Sequence, residues 1–223
     1  MVNREHKTIS ISEQIFDQLE RDILSGKYER GSVLSEQKLS EELGVSRTPI
    51  REALKGLVQE HILEEGSRGL VIIGISKQDV LDMYSIRIKI EGDCAALAAR
   101  NISDDDIAKM EEAIDLQMFY IERQESTGSD NSDSIKNYDS RFHELMYYAS
   151  GSAAYRDVLL SMHKKIVKFR KASLKKTGRA EKSASEHRAI LEALKAHDEE
   201  KARELTTQHV KNAMESIKAL EDV

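Results

Sequence analysis

At 223 residues, with a net charge of −6 and 39% apolar side chains, the chain is long enough for two small cores or one large one. Residues 1–75 carry 10 Lys+Arg against 13 Asp+Glu, and residues 76–223 carry 24 against 27, an acidic balance that excludes a histone-like or purely electrostatic nucleic-acid binder. The single cysteine, Cys94, cannot close an intrachain disulfide, and the lack of a signal-peptide-like start or of any run nearing ~18 apolar residues predicts a cytoplasmic protein without a membrane partner.

In chain order, Ser10-Ile11-Ser12-Glu13 is a capping box opening a helix with apolar positions at Ile15, Phe16, Leu19 and Ile23. A second short helix follows, with Leu39 and Leu43 on one face and Glu36, Lys38, Glu41 and Glu42 on the others. Gly44 suits the positive φ that ends it, Ser46 suits the N-cap of the next helix, and Pro49 is tolerated in that helix's first turn. Ile50, Ala53, Leu54 and Leu57 then face a core, leaving Ser46, Arg47, Thr48 and Arg51 at the exposed leading end. That is the pattern of a helix-turn-helix whose second helix meets base edges and phosphates; an ordinary helical hairpin with a solvated basic end is the alternative. Ile62 and Leu63, then Gly66-Ser67-Arg68-Gly69, then Leu70 to Ile73 read as a β-hairpin wing. Arg47, Arg51 and Lys55 outnumber Glu52 on the reading helix, so modest nonspecific affinity and dependence on a dimer and a specific site are expected.

At these residues the chain resembles the GntR family of bacterial transcription regulators. The likeness is carried by Gly31, Leu34-Ser35-Glu36, Leu39, Leu43-Gly44-Val45-Ser46-Arg47-Thr48-Pro49, Arg51-Glu52-Ala53-Leu54, and Arg68-Gly69 in the wing. It implies that Arg47 reads a guanine, that Thr48 and Arg51 hold phosphate or base edges, and that the wing tip enters the minor groove. The expected DNA-contact set is Ser35, Ser46, Arg47, Thr48, Arg51, Arg68 and Gly69. Gln37 departs from those members that carry a DNA-contacting arginine at that position.

From Ser76 onward the pattern is helical, and the only proline is Pro49. Polar patches at Glu125 to Asn131, Ser150 to Ser152, Lys176 to Arg179 and His197-Asp198 divide the region into about six helices. The fold expected is mainly α: a winged helix-turn-helix of three helices and a small β-hairpin wing over 1–75, then an all-α antiparallel bundle over 76–223. The short join Gly74-Ile75-Ser76 leaves no flexible linker between them, which implies mechanical coupling. Cys94, in an alanine-rich run, reads as buried and unreactive. Polar residues that interrupt apolar stripes carry the chemistry here. Asp139 and His143 sit one turn apart beside Ile135, Phe142 and Met146; His187 shares a face with Ile190, Leu191 and Leu194; His209 lines up with Leu205, Ala213 and Ile217. An aspartate and three neutral imidazoles suit a divalent transition metal (Zn, Ni, Mn or Fe) with open positions left over. Singly, such histidines are more often hydrogen-bonded core residues, and His163, between Leu159 and Ile166, is read that way. Lys164, Lys165, Lys168, Arg170, Lys171, Lys175 and Lys176 read as a solvated helix face.

This region is similar to the FCD ligand-binding domain of the FadR subfamily of GntR regulators. The likeness rests on Asp82, Tyr84, Arg87 and Ile90-Glu91, on Asp139, Phe142-His143 and Leu145-Met146, on Glu186-His187 and Ile190, and on His209. It implies a metal held by Asp139, His143, His187 and His209, and an effector carboxylate met by Arg87; the alternative for Arg87 is a surface pair with Glu91. Asn212, one turn beyond His209, is a further candidate for the effector. The function expected is a homodimeric transcription regulator, more readily a repressor than an activator, that binds a palindromic double-stranded operator and responds to a small organic acid. The rivals are a metalloenzyme with a DNA-binding-like accessory domain, and a regulator whose ion is purely structural.

Overall fold

The computed structural model describes residues 10–176 and 178–220; Thr177, inside the predicted Lys176–Arg179 break, and both termini lie outside them. The chain divides between Ile75 and Ser76 into two compact units. In the first, α1 (Ile11–Leu24) begins at the expected capping box, Ser10 with Glu13. It buries Ile15, Leu19 and Ile23, while Phe16 stays half-buried against α3 (Arg47–Gln59). Gly56 makes that contact possible, because a Cβ there would stand 2.9 Å from the Phe16 ring. Between them, α2 (Glu36–Leu43) ends at Gly44 with φ +66°, the left-handed conformation that costs a glycine nothing. Ile50, Ala53, Leu54 and Leu57 of α3 are all buried.

The wing is larger than a hairpin. Strands β2 (Leu63–Gly66) and β3 (Gly69–Ile72) pair antiparallel, with Gly66 opposite Gly69. A two-residue strand, β1 (Val33–Leu34), adds to the other edge of β3, so the sheet order is β1-β3-β2. Two residues are too few to show an alternating pattern, which is why the sequence hides β1.

The second unit contains α4 (Lys77–Asn101), α5 (Asp104–Thr127), α6 (Ser132–Ala149), α7 (Ala153–Lys165), α8 (Val167–Leu174), α9 (Arg179–Lys195) and α10 (Glu199–Lys218). Seven described helices thus replace the expected six or so. The extra boundary lies at Ile166 (φ −92°, ψ 5°), which splits α7 from α8 with no glycine, proline or capping hydroxyl to announce it. The core gathers Ala95, Ala98 and Ala99 of α4, Met110 and Ile114 of α5, Phe142 and Met146 of α6, and Leu191 and Leu194 of α9. At Gly92, α4 and α10 touch: a Cβ would lie 2.4 Å from Thr207 Oγ1. This close approach brings the inner faces of α4 and α10 together where the polar residues lie. No described helix is long and apolar enough to cross a membrane.

Candidate functional site

Two sets of side chains stand out, one in each unit. On the first unit, Ser46, Arg47, Thr48 and Arg51 are exposed along the first turns of α3, and Arg68 and Gly69 are exposed at the β2–β3 turn. Gly69 has φ +128°, and a Cβ there would reach 3.0 Å from Val33, so the turn requires glycine twice over. Ser46 occupies the expected N-cap position with extended backbone, although its side chain makes no capping hydrogen bond. Ser35 caps α2 instead, accepting from the Lys38 N–H at 3.5 Å. Arg51 is gripped by Glu36 of α2, with Nε donating to Oε1 at 2.9 Å and Nη2 to Oε2 at 2.8 Å. The basic excess expected along α3 is thereby reduced by a carboxylate from the neighbouring helix.

In the second unit, α6, α9 and α10 bring three histidines together. His143 Nε2 lies 3.3 Å from His187 Nε2 and 3.2 Å from His209 Nε2, and all three rings are buried. Their other nitrogens fix the tautomers. His143 Nδ1 faces Glu91 Oε1 at 2.9 Å, and His209 Nδ1 faces Glu186 Oε2 at 2.6 Å. His187 Nδ1 faces Gln117 Oε1 at 3.3 Å; the Gln117 amide is oriented by its Nε2, which donates to Asp139 Oδ1 at 3.3 Å. With each Nδ1 turned to an oxygen partner, the Nε2 atoms of His187 and His209 both face that of His143. Burial pulls the His143 pKa down to about 4 against the pull of Glu91, and burial, with His209 adding to it, holds His187 well below its usual range, so neither supplies a proton to bridge the gap at neutral pH. Facing lone pairs repel, and a cation between them removes the repulsion. The separation also fits, since donors ~2.0–2.1 Å from one tetrahedral ion stand about 3.3 Å apart. The three histidines are thus a group that could hold a metal ion.

The fourth expected ligand, Asp139, is adjacent but engaged. Its Oδ1 is 3.7 Å from His187 Nε2 and accepts from Ser183 Oγ at 2.7 Å, while Oδ2 pairs with Arg170. Burial raises its pKa, but Arg170 and the imidazoles overcome this, and the carboxyl stays ionised. Arg170 contradicts its reading as part of a solvated basic face. The break at Ile166 turns it inward, leaving it 5% exposed, whereas Lys171 and Lys175 pair outside with Asp133 and Asp130.

Arg87 likewise is no surface residue. It is 1% exposed and stacked over the Tyr84 ring at 4.8 Å; it grips Glu91 with Nε to Oε2 at 2.7 Å and Nη2 to Oε1 at 3.2 Å. Its Nη1 is buried with no hydrogen-bond partner among the described residues. Arg87, Asp139, His143, Arg170, Arg179 and His209 line a common cavity. Asn212 does not line it: its amide donates to Glu186 Oε1 at 2.8 Å and accepts from Gln208, so it acts on the site by steadying the carboxylate behind His209. His163 is buried as expected, and its Nδ1 lies 3.5 Å from the Tyr147 hydroxyl, but it is satisfied on that side only. Its Nε2 has no partner among the described residues, and its ring lies 5.2 Å from that of His143. Gln117 escaped the sequence reading, although as a lone polar residue between Ile114 and Ile121 it obeys the same rule that exposed the histidines.

Comparison with known proteins identifies both units. Residues 11–70 match the model of bacterial regulatory proteins of the gntR family, and residues 82–212 match the FCD domain. The chain belongs to the GntR family of regulators, with an FCD domain. Relatives of this GntR regulator include an uncharacterised HTH-type transcriptional regulator, YdhC, of Bacillus subtilis, 28% identical over 92% of this chain and 90% of that protein. Another is the HTH-type transcriptional repressor RspR of Escherichia coli, 27% identical over 96% and 91%. The gluconate operon transcriptional repressor of Bacillus licheniformis is 43% identical over 33% of this chain and 30% of its own. The solved structure of E. coli McbR/YncC shares the fold, with a TM-score of 0.76 at 22% identity over 95% of this chain and 98% of that one. A GntR-family chain of this kind is a DNA-binding transcription regulator and not an enzyme, which sets the metalloenzyme alternative aside.

Proposed function

We propose that this regulator is a cytoplasmic repressor that binds a palindromic operator as a homodimer and is released from it by a small organic acid bound beside a divalent transition metal. Residues 1–75 form the DNA-binding domain, with Arg47 reading a base, Thr48 and Arg51 on phosphate or base edges, and the Arg68-Gly69 tip in the minor groove. Residues 76–223 form the metal- and effector-binding domain. His143, His187 and His209 hold the ion, with Asp139 closing the set through Oδ1. The ion, when bound, supplies an electrophilic anchor for a carboxylate.

The observation that carries the reading is the meeting of three buried imidazole Nε2 atoms beside a cavity that His143 and His209 line together with Arg87, whose Nη1 has no partner among the described residues. Most buried polar atoms find a partner, and a metal-bound carboxylate would supply one to the imidazoles and to the guanidinium alike. The free space in the cavity is about that of one water molecule. An acid therefore enters only if side chains or helices lining the cavity shift, and this differential fit lets a ligand bias the DNA-competent state.

The test is a thermal-shift screen of small carboxylic acids on metal-loaded and chelator-stripped protein, followed by operator release measured by fluorescence anisotropy. An acid at a hundred times its Kd adds about 2.7 kcal/mol of stability. The expected hit appears only with metal and lowers operator affinity. Stabilisation by metal with no acid response would make the ion structural and sink the proposal.

A further inference from the structure

Three arginines border the cavity, and each is tied to a carboxylate that serves the histidine cluster. Arg87 holds Glu91, which orients His143; Arg170 holds Asp139; Arg179 holds Glu186, which orients His209. All three arginines and Asp139 are at least nine-tenths buried, and Glu91 is fully so. The three positive charges are cancelled by three negative ones, and imidazoles ligate a cation only in their neutral form. A divalent cation then leaves the pocket with two uncompensated positive charges in a setting largely closed to water. One anionic group halves that imbalance; two remove it, and an uncompensated charge in such a place costs several kcal/mol.

The arginines differ in how firmly they are held. Arg87 grips both oxygens of Glu91 side-on and still offers Nη1. Arg170 divides its terminal nitrogens between Asp139 and Ser140. Arg179 aims both terminal nitrogens, at 3.2 and 3.1 Å, at the single oxygen Glu186 Oε2, which already accepts from His209 Nδ1 at 2.6 Å. Three donors on one oxygen is the weakest of the three arrangements, whereas an arginine prefers the fork-on-fork geometry that a fresh carboxylate offers. If Arg179 turns to such a carboxylate, Glu186 keeps His209 and Asn212 as partners, and nothing is orphaned.

We infer that the acid recognised by this pocket is a dianion, with one carboxylate at Arg87 Nη1 beside the histidines and the second on Arg179. The inference rests on the acid-sensing reading above and narrows its ligand class. It is tested by calorimetric titration of the metal-loaded full chain with the dicarboxylates from malonate to adipate, each beside its monomethyl ester, which has the same chain and one charge. The best dianion should bind at least about tenfold more tightly than its monoester, the scale of one charged hydrogen-bonded contact. That ratio should fall below about twofold in Arg179→Gln and largely survive in Arg179→Lys, with metal content read by elemental analysis to confirm an intact site. A monoester that binds as well as its dianion, or a ratio that persists in Arg179→Gln, overturns the inference while leaving the acid-sensing reading intact. Binding by none of the acids or esters overturns both.

Discussion

The two functional regions of this regulator are built on opposite principles. The DNA-facing side chains of α3 and the wing tip stand exposed, and Glu36, which holds Arg51, lies near the surface. In the second unit, the histidines come from three helices, are buried, and are each fixed by a partner on the far nitrogen. The contrast follows from what each must bind. A duplex is large and approaches from solvent, so its reader can use mobile side chains that settle on contact. An ion a few ångströms across needs donors set in advance, because no later adjustment inside a packed core is cheap. Perturbation should therefore damage the buried region through loss of preorganisation, and the exposed one through loss of individual contacts.

The largest effect expected is on the buried side. His143→Ala removes the imidazole that both others face at 3.3 and 3.2 Å. Metal affinity should fall more than 100-fold, beyond the roughly 10–100-fold loss that follows removal of a supporting partner. Elemental analysis after dialysis against metal reads this directly; undiminished metal content would break the comparison, because the preorganised cluster would then not be the metal site.

Acidification probes the same burial. The His143 pKa is drawn down to about 4 by burial, against Glu91, from an unfolded value near 6.5. Between those two values the unfolded chain binds the additional proton, so the metal-free protein is stable above pH 6.5 and loses stability as pH falls through that window. At about 1.4 kcal/mol per pH unit, His143 alone contributes a loss of about 3 kcal/mol. Urea melts of chelator-stripped protein at pH 7.5, 6 and 4.5 measure it, and a curve flat across that range would show the ring to be wet rather than buried.

On the exposed side, Arg47→Ala should leave the melting temperature unchanged, because the side chain is exposed at the start of α3. Discrimination between operator and mutated operator should drop by on the order of 10- to 100-fold per half-site, the scale of one bidentate base contact. Competition binding with operators changed one base pair at a time would reveal it. Preserved discrimination would move base reading to other residues of α3.

The same contrast explains what was legible in the sequence. The helix-turn-helix lies within about twenty consecutive residues, so Gly44, Pro49 and the buried Ile50, Ala53, Leu54 and Leu57 could be placed from local rules. The histidines showed as polar interruptions of apolar stripes, but their convergence depends on helices 44 and 66 residues apart in the chain, which no local rule supplies. What stayed hidden needed tertiary context. Arg170 looked like one of a basic run until the unmarked break at Ile166 turned it inward. The burial of the Arg87–Glu91 pair could not be read, because i, i+4 spacing says nothing about which side of a helix is covered. His163, set aside for lack of a neighbour, has His143 beside it only because α7 packs against α6.

The smallest effect expected sharpens the comparison most. Glu36 and Arg51 form the same side-on pair as Arg87 and Glu91, with nearly the same distances, yet one pair is on the surface and the other in the core. Solvent screens the first, so Glu36→Ala should not move the melting temperature measurably. Its consequence should appear on DNA. Freed from Glu36, Arg51 is available to a phosphate at no exchange cost, so affinity should rise a few-fold for operator and nonoperator DNA alike. The slope of log affinity against log salt should steepen by about one unit per subunit. Anisotropy titrations between low and physiological salt measure both quantities. An unchanged slope would mean that Arg51 serves only to brace α2 against α3, leaving Arg47 and Thr48 to make the contacts at that end of the reading helix.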